Sequence, residues 1–411
     1  MRKIILYILL VFISFSLFAQ EREIANFIAS GDNAFEQKNY YGAAKMYEEA
    51  LKYNSKMYDI VWKAAEAYRL DNDYVRAARH YRILTDKIPD KYPEAVFYYA
   101  SMLKADEEFV KAQYFFQRYL DYNELDSANL NVIKAKDEIL NCELAWKMYN
   151  NPNGVKVIQC DSSINSVYSD FSSGILNDSI LVFASIKPIS DTLNDFKSRL
   201  YNVNFFDVKR KTSLFDSIIN DGLHDVSNPH FTSDGNTVYF TISDFFKGGN
   251  TYIYTSHFEN GKWSEPKKLP KEINFPDYNS THPFLAERES KTDVLLWSSN
   301  RPGGEGGYDL YYCELLPDQS WGYVRNLGRP IFDDTRFLDF FDTTSNVNTA
   351  GNEITPFYDV RDSLLYFSSD WYKNLGGYDI FSLKGNFRVW DSLKNLGYPI
   401  NSAQDGMYYE I

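Results

Sequence analysis

Residues 298–309 read Ser-Ser-Asn-Arg-Pro-Gly-Gly-Glu-Gly-Gly-Tyr-Asp, and residues 368–379 repeat the Ser-Ser start and the Gly-Gly-Tyr-Asp end. An apolar run precedes each copy, and a Trp followed by Asn-Leu-Gly comes after it. A more divergent copy occupies residues 228–274. A repeat of this length with strand and turn patterns but no helix pattern indicates β units stacked in a line or around an axis.

Four such units are visible, each with room for about four strands. Phe171, Phe231, Phe284 and Phe357 are interpreted as marking the start of each unit, and an insertion from Asp333 to Glu353 explains the long last interval. In the third unit the pattern predicts strands at Pro283–Ala286, Asp293–Ser298 and Asp309–Glu314, and another after Trp321. A fifth unit begins at 407–411.

Residues 165–403 resemble the WD40-like β-propeller repeat of exported bacterial proteins. The resemblance implies an all-β propeller domain over 154–411, with four full blades visible, a fifth begun and the C-terminal part incomplete. The glycines of Gly303–Gly307 are expected to allow a tight turn with positive φ. Tyr308, Asp309, Tyr378 and Asp379 are interpreted as structural, with Tyr packing between blades and Asp capping the turn. A ligand role for the glycine run is the alternative.

Val155–Cys160 is predicted to be an outer blade strand, because the Ser-Ile-Asn-Ser that follows it matches Pro399-Ile-Asn-Ser402. In propellers a leading strand can complete the last blade and remove open sheet edges. Four units and one begun strand fall short of the roughly six blades that the resemblance implies. We therefore expect this chain to be the front part of a longer protein.

Residues 20–150 carry a second repeat. Ala43, Ala77 and Ala112 are 34 and 35 residues apart, and an aromatic residue follows each of them by four positions. Gly31, Ala65 and Ala100 precede the three alanines by twelve positions. These residues resemble the tetratricopeptide repeat, which pairs two antiparallel helices per unit. The resemblance implies an all-α solenoid of three units, and an amphipathic helix over 127–149 is predicted to cap it.

The first helix of each tetratricopeptide unit lines a concave groove in this family. The positions that the resemblance assigns to the groove are candidate partner-binding residues: Phe35, Trp62, Glu66, Arg69, Phe97 and Lys104. Aromatic and charged side chains of this kind suit a peptide or a neighbouring domain. The alternative is that some of them only pack between units.

The first nineteen residues have the pattern of a secretion signal, with Arg2-Lys3, an apolar core from Ile4 to Phe18 and a small residue, Ala19, at the cleavage point. A membrane anchor is the alternative, but the apolar run is short for a spanning helix. We expect an exported protein with no transmembrane segment after signal removal. The net charge of −13 argues against a nucleic-acid partner.

The sequence predicts no catalytic, metal or cofactor site. A propeller peptidase would need a Gly-x-Ser-x-Gly elbow, which is absent. Asp339, Asp342 and Glu353 could form a glycosidase pair, but solvated acidic loops are far more common. No pair of the five His has metal-ligand spacing on one element, and Cys142 and Cys160 either pair or stay as thiols. We expect a protein that is not an enzyme, with a propeller hydrolase as the less favoured alternative.

An export signal, tetratricopeptide units and this propeller, in that order, resemble the front of a Bacteroidota cell-envelope protein class. In that class the propeller precedes an OmpA-like peptidoglycan-binding domain, and some members belong to the type IX secretion and gliding apparatus. The resemblance implies a periplasmic protein-interaction scaffold at the outer membrane or cell wall, with envelope proteins and, through a domain absent here, peptidoglycan as partners. A propeller that binds carbohydrate or peptidoglycan through exposed aromatic residues is the alternative.

Overall fold

The computed structural model describes residues 20–37, 39–123, 129–187, 197–207, 210–244, 249–289, 291–328, 347–387, 389–391 and 393–409. The chain divides into two compact units, Met1–Asn150 and Asn151–Ile411. The predicted signal peptide and residues 333–346 of the predicted insertion lie outside the described residues. None of the helices in the described ranges combines the length and the apolarity needed to cross a membrane.

The first unit is all-α. Its described residues form seven helices: α1 (20–36), α2 (Tyr40–Tyr53), α3 (Tyr58–Leu70), α4 (Tyr74–Lys87), α5 (Glu94–Ala105), α6 (Phe109–Asn123) and α7 (Leu130–Asn150). Polar side chains start the second helix of the first two pairs: Asn39 accepts from the Gly42 amide at 2.9 Å and Asp73 from the Arg76 amide at 3.0 Å. These caps satisfy amides that the helix itself leaves without partners. The predicted tetratricopeptide-like fold is confirmed.

Small residues allow neighbouring helices to approach closely. Ala43, Ala77 and Ala112, which carry the 34-residue period, are completely buried. Gly31 lies against the ring of Tyr47, where an added Cβ would come within 2.6 Å of the ring. The aromatic residue four positions after each alanine fills the remaining space on the same helix face.

The second unit contains four antiparallel sheets arranged as a four-bladed β-propeller, so the predicted all-β domain is confirmed. The four blades, named 1 to 4 in chain order, run from an inner to an outer strand. Blade 1 contains β1 (Asp170–Leu176), β2 (Ile180–Ser185), β3 (Arg199–Asn204) and β4 (Ser213–Leu214), and blade 2 contains β5 (Asp225–Phe231), β6 (Thr237–Asp244), β7 (Asn250–Glu259), β8 (Lys262–Trp263) and β9 (Lys267–Lys268). Blade 3 contains β10 (Ser280–Ala286), β11 (Val294–Ser299), β12 (Asp309–Glu314) and β13 (Arg325–Asn326). Blade 4 contains β14 (Glu353–Asp359), β15 (Leu364–Ser369), β16 (Asp379–Lys384) and β17 (Lys394–Asn395).

The middle strands are covered on both faces, which explains their continuous apolar runs. In β6, Phe240 packs toward blade 1 and Tyr239 toward blade 3. In β11, Leu296 packs toward blade 4 and Trp297 toward blade 2. The core of this unit is therefore a series of apolar layers between consecutive blades.

Each inner strand has a β-bulge at the same repeat position. Ser172, Asn228, His282 and Thr355 have φ values of 48° to 53°, and the strand register shifts around each of them. These residues define the repeat more strictly than the phenylalanines do. The predicted equivalence of Phe171 and Phe231 with Phe284 is wrong. Phe171 precedes its bulge and Phe231 lies three residues after its bulge, whereas Phe284 lies two residues after its own.

One asparagine per blade closes the sheet by bonding both backbone groups of a residue in the third strand, and we call this contact the asparagine clasp. Asn274 accepts from the Ile253 amide at 2.8 Å and donates to the Ile253 carbonyl at 2.8 Å. The other three clasps have the same two bonds, within 2.7–3.0 Å, and join Asn220 to Leu200, Asn348 to Leu310 and Asn401 to Ile380.

The Gly-Gly-Tyr-Asp motif joins one blade to the next. The amide of Tyr308 donates to Asn352 at 3.0 Å, and a Cβ on Gly307 would collide with this asparagine. Asp309 accepts from the Glu305 and Gly306 amides, as predicted for a residue that caps the turn. Within 303–307 only Gly303 has a positive φ, so the other glycines serve close approach and not a left-handed turn.

Candidate partner-binding groove

Four aromatic rings form a connected cluster on the first unit, which we call the aromatic cluster. Trp62 of α3 stacks on Tyr92 with 5.5 Å between ring centroids, and it meets Tyr81 edge-on at 5.8 Å and Tyr98 at 6.1 Å. Tyr81 stacks on Tyr98 at 5.5 Å. The Trp62 side chain remains partly accessible to solvent. Rigid aromatic surfaces of this kind contribute large contact areas at low entropic cost.

Glu66 and Arg69, one turn further along α3, form an ion pair beside this cluster. The Arg69 guanidinium lies 2.7 Å from the Glu66 carboxylate and 4.6 Å from the centre of the Tyr98 ring. The Tyr81 hydroxyl donates to the same carboxylate. Burial, together with the negative charge of Glu66, raises the pKa of Tyr81, so this hydroxyl stays protonated and remains a donor.

The first repeat contains the same combination of acid, tyrosine and cation. Asp32 accepts from the Tyr47 hydroxyl at 2.7 Å and from Lys63 at 2.7 Å. Partial burial raises the pKa of Asp32, but the hydrogen bonds from Lys63 and Tyr47 outweigh it and the net shift is downward. The charges on this face are therefore paired with one another. Because Tyr81 is fully buried, the partly exposed rings of Trp62, Tyr92 and Tyr98 are the main surface left for a partner.

A further ion pair lies at the edge of the aromatic cluster. The Lys91 ammonium is 2.9 Å from the Asp59 carboxylate, and the Tyr92 hydroxyl donates to the same carboxylate. Hydrogen bonds from Lys91 and Tyr92 lower the pKa of Asp59. These contacts hold the Tyr92 ring flat against Trp62.

The structure brings together three of the six residues predicted to line the groove: Trp62, Glu66 and Arg69. Phe35 is partly exposed and meets Tyr40 at 5.3 Å, away from this group of contacts. Whether these residues bind a partner stays a prediction.

The other two predicted groove residues are interior. Phe97 is 4% exposed and packs on Phe116 and Tyr119. Lys104 is 3% exposed and forms an ion pair with Glu138 of α7 at 2.6 Å. Their placement in an open groove is corrected, because Phe97 packs against side chains of α6 and Lys104 is paired with a carboxylate of α7.

Sequence reasoning missed Asp32, Lys63, Tyr92 and Tyr98. The sequence did carry a signal for part of this set. In both repeats the acid and the tyrosine that are hydrogen-bonded to each other are fifteen residues apart, as Asp32 and Tyr47 and as Glu66 and Tyr81. Tyr92 lies before α5, outside the periodic helical positions, and only the folded structure places it on Trp62.

A cavity of about 60 Å³ lies on the propeller axis, where the four bulges meet. His282 faces it, and burial lowers the pKa of this imidazole to about 3, so the ring is neutral. The Tyr408 hydroxyl lies 3.4 Å from His282 and 3.4 Å from Asn228. A space of this volume with some polar groups in its wall can hold a few ordered water molecules. The remaining lining residues are Ser172, Ser173, Pro229, His230, Pro283, Phe284, Thr355, Pro356, Phe357 and Tyr409.

Of the three carboxylates considered for a glycosidase pair, the structure describes one, Glu353. Asp339 and Asp342 lie outside the described residues. Glu353 is fully buried and accepts hydrogen bonds from Thr349 and Ser369.

Cys142, Cys160 and Cys313 are free thiols. Within the described ranges, no group of three His, Cys, Asp or Glu is placed to hold a metal ion.

Comparison with known proteins finds likeness in solved structures only. No family model matches the chain. No curated protein matches it either. The helical unit is similar to the Sgt2 tetratricopeptide domain from Aspergillus fumigatus, with 16% identity over 35% of this chain and 92% of that chain, and a TM-score of 0.27.

Two enzymes are among the structures similar to the propeller. An α-L-arabinofuranosidase from Lactobacillus brevis has 13% identity over 58% of this chain and 76% of that chain, with a TM-score of 0.35. An endo-arabinase from Bacteroides thetaiotaomicron has 18% identity over 57% of this chain and 83% of that chain, with a TM-score of 0.37. These values show likeness of fold alone.

The expectation that this chain is not an enzyme is corrected by these findings. It rested on the view that a propeller of this kind binds or scaffolds, yet propellers of named glycoside-processing enzymes are among the structural matches. The propeller architecture is therefore no ground for excluding catalysis. At such low identity the matches assign no reaction to this chain.

Proposed function

We propose that this protein is a protein-interaction scaffold whose helical unit holds an extended segment of a partner protein on the aromatic cluster. The observation that carries the proposal is the partly exposed Trp62, fixed by contacts with Tyr81, Tyr92 and Tyr98. Hot spots of protein interfaces are enriched in Trp, Tyr and Arg held in rigid surroundings. Arg69, stacked on Tyr98, adds the third of these residue types.

The paired charges around the cluster indicate the kind of segment that binds. Asp32, Asp59 and Glu66 each have a cationic partner within 3 Å, so a charged ligand would have to break an existing ion pair. A segment with apolar or aromatic side chains can cover the rings without that cost. Binding is therefore expected to depend little on salt concentration.

We further propose that this scaffold works in the periplasm, at the outer membrane or cell wall, as part of a secretion or motility apparatus. The support is in the sequence: a signal-like N-terminus, then tetratricopeptide units, then the WD40-like propeller, in the order found in the Bacteroidota envelope class. Peptidoglycan enters the proposal only through the OmpA-like domain of that class.

Site-specific photocrosslinking in the cell tests the scaffold proposal. Tyr92 is replaced by the photoreactive p-benzoylphenylalanine, and Val75, exposed on α4, is replaced in the same way as the control. The expected result is a discrete protein adduct at position 92 that is absent at position 75. Equal crosslinking at both positions, or no adduct at position 92, would contradict the proposal.

Cell fractionation and binding to purified peptidoglycan sacculi test the envelope proposal separately. Recovery of the protein with the outer membrane or wall fraction is expected. Recovery in the cytoplasm would contradict the location while leaving the groove proposal intact. Direct binding of residues 20–411 to sacculi would favour the carbohydrate-binding alternative for the propeller.

A further inference from the structure

Helix α7 carries apolar residues on two of its faces. One face packs against α5 and α6 and contains the buried residues of this helix: Val132, Ala135, Glu138, Asn141, Cys142 and Ala145. The other face is turned outward and carries four aliphatic residues: Leu130, Ile133, Leu140 and Leu144. A helix at the surface of a globular domain normally has its apolar residues on the packed face only. The outward apolar face of α7 therefore requires a separate explanation.

The outward residues form a regular row, which we call the α7 strip. They are spaced alternately by three and four positions and so share one helix face: Leu130, Ile133, Asp137, Leu140 and Leu144. The side chains of Leu130, Ile133 and Leu140 have 66%, 39% and 51% of their surface accessible. The last helix of a repeat array usually has a polar outer face. A narrow apolar row with this spacing is instead the seam along which one helix packs on another.

A basic and an acidic residue stand side by side in the middle of the α7 strip. Lys136 and Asp137 are both exposed, and within the residues that the structure describes neither has an ion-pair partner. Ile133 lies three residues before Lys136, and Leu140 lies three residues after Asp137. The strip therefore has the same order from either end: two aliphatic residues, a charged pair and two aliphatic residues.

This symmetry makes the α7 strip complementary to a second copy of itself. In a dimer with two-fold symmetry, each contact between two different residues occurs twice with the roles exchanged. If two α7 helices run antiparallel about a point between Lys136 and Asp137, each lysine faces the aspartate of the other copy. In the same arrangement Ile133 faces Leu140 of the second copy. A parallel pair would instead place Asp137 against Asp137, and such like charges repel.

We propose that this protein forms a dimer in which α7 of one copy packs antiparallel on α7 of a second copy. Burial of the aliphatic residues of both strips drives the association. The two reciprocal ion pairs between Lys136 and Asp137 set the direction of the helices. No residue of the α7 strip belongs to the aromatic cluster, so the dimer is independent of the proposed partner binding. It gives one assembly two aromatic clusters, which can bind a partner with two matching segments more tightly than one cluster can.

Cysteine crosslinking in the cell tests this contact. Two forms of the protein with different tags are made together, one with Ile133→Cys and the other with Leu140→Cys. Both carry Cys160→Ser, which removes the exposed native thiol. A short bifunctional maleimide is expected to link the two tagged forms to each other. In the control, Val75→Cys, exposed on α4, replaces Leu140→Cys and should give no such link.

Three results of the crosslinking would overturn the proposal. The first is the absence of a link between the forms with cysteine at positions 133 and 140. The second is an equal yield with the control form. The third is a link from position 140 to a different protein in place of the second copy, since that protein would then be what covers the α7 strip.

Charge reversal tests the direction of the helices. Asp137→Lys places two lysines opposite each other, and we expect the dissociation constant of the dimer to rise at least about tenfold. Analytical ultracentrifugation of the whole protein measures this constant. The swapped variant, Lys136→Asp with Asp137→Lys, restores opposite charges in an antiparallel pair and should recover the dimer. A monomeric wild-type protein would overturn the proposal, and a swapped variant that stays monomeric would contradict the antiparallel arrangement.

Discussion

Glu353 begins β14 with a carboxylate that is fully shielded from solvent. Burial raises its pKa to about 7, although hydrogen bonds from Thr349 and Ser369 act in the opposite direction. The same side chain therefore fixes the blade 4 inner strand and titrates near neutral pH. Its protonation state affects the junction between blades 3 and 4.

Glu353 makes the propeller less stable as the pH rises from about 4.5 to 7. The folded pKa lies above the ordinary value of 4.5, so in this window the folded state binds more protons than the unfolded state. The free energy of unfolding is expected to fall across the window by on the order of 3 kcal/mol from this group. Glu353→Gln should remove that part of the slope in urea unfolding measured at several pH values, and an unchanged slope would contradict the assignment.

Lys104 and Glu138 form a buried ion pair between α5 and α7. Glu138→Ala leaves the Lys104 charge buried without its carboxylate, and we expect a loss of about 3–5 kcal/mol in the stability of the helical unit. The matched control is Glu143→Ala on the same helix, which removes an exposed pair with Lys147 and should change little. Thermal unfolding of the variants measures both effects, and similar melting temperatures would contradict this role.

At the scale of elements, the asparagine clasps are expected to contribute more to stability than other asparagines do. Asn274→Ala removes bonds to both backbone groups of Ile253 and to the Leu269 carbonyl, all buried. We expect a loss of about 2–4 kcal/mol, since buried backbone groups would lose their partners. Asn236→Ala, in an exposed turn, should stay within about 0.5 kcal/mol. If denaturant unfolding showed that the two substitutions lower the free energy of unfolding equally, the clasp would contribute no more than an exposed asparagine.

Sequence periodicity predicted the elements of both units because their patterns are local. The alanine and aromatic spacing of the helices and the Gly-Gly-Tyr-Asp motif each depend on contacts that every repeat makes. The exact start of each blade could not be read in this way, since the bulge positions hold four different residues: Ser172, Asn228, His282 and Thr355. What they share is a backbone angle, and no residue type marks it.

The candidate site was harder to predict than the fold. Trp62, Glu66 and Arg69 lie together as expected, but Phe97 and Lys104 are interior because α6 and α7 respectively cover them. That cover is a tertiary contact between helices, and the family pattern of groove positions does not contain it. The asparagine clasps were visible as repeated Ile-Asn or Val-Asn pairs, yet the long connector before Asn348 hid their regular spacing.

At the scale of the whole molecule, the chain joins a tetratricopeptide-like unit to a four-bladed β-propeller. Both are repeat architectures that present broad surfaces, which supports the proposed scaffold. A repeat architecture alone does not decide function. Function has to be argued from sites, and the aromatic cluster is the site that the described residues support best.

The most direct test of the account is the affinity of the photocrosslinked partner for the folded protein with and without Trp62. Isothermal titration calorimetry with residues 20–411 should show binding that Trp62→Ala weakens roughly tenfold or more. Trp146→Ala, which removes an exposed tryptophan from α7, is the matched control and should change the affinity less than about twofold. Equal affinities for wild type and Trp62→Ala, with both proteins folded by circular dichroism, would contradict a binding role for the aromatic cluster.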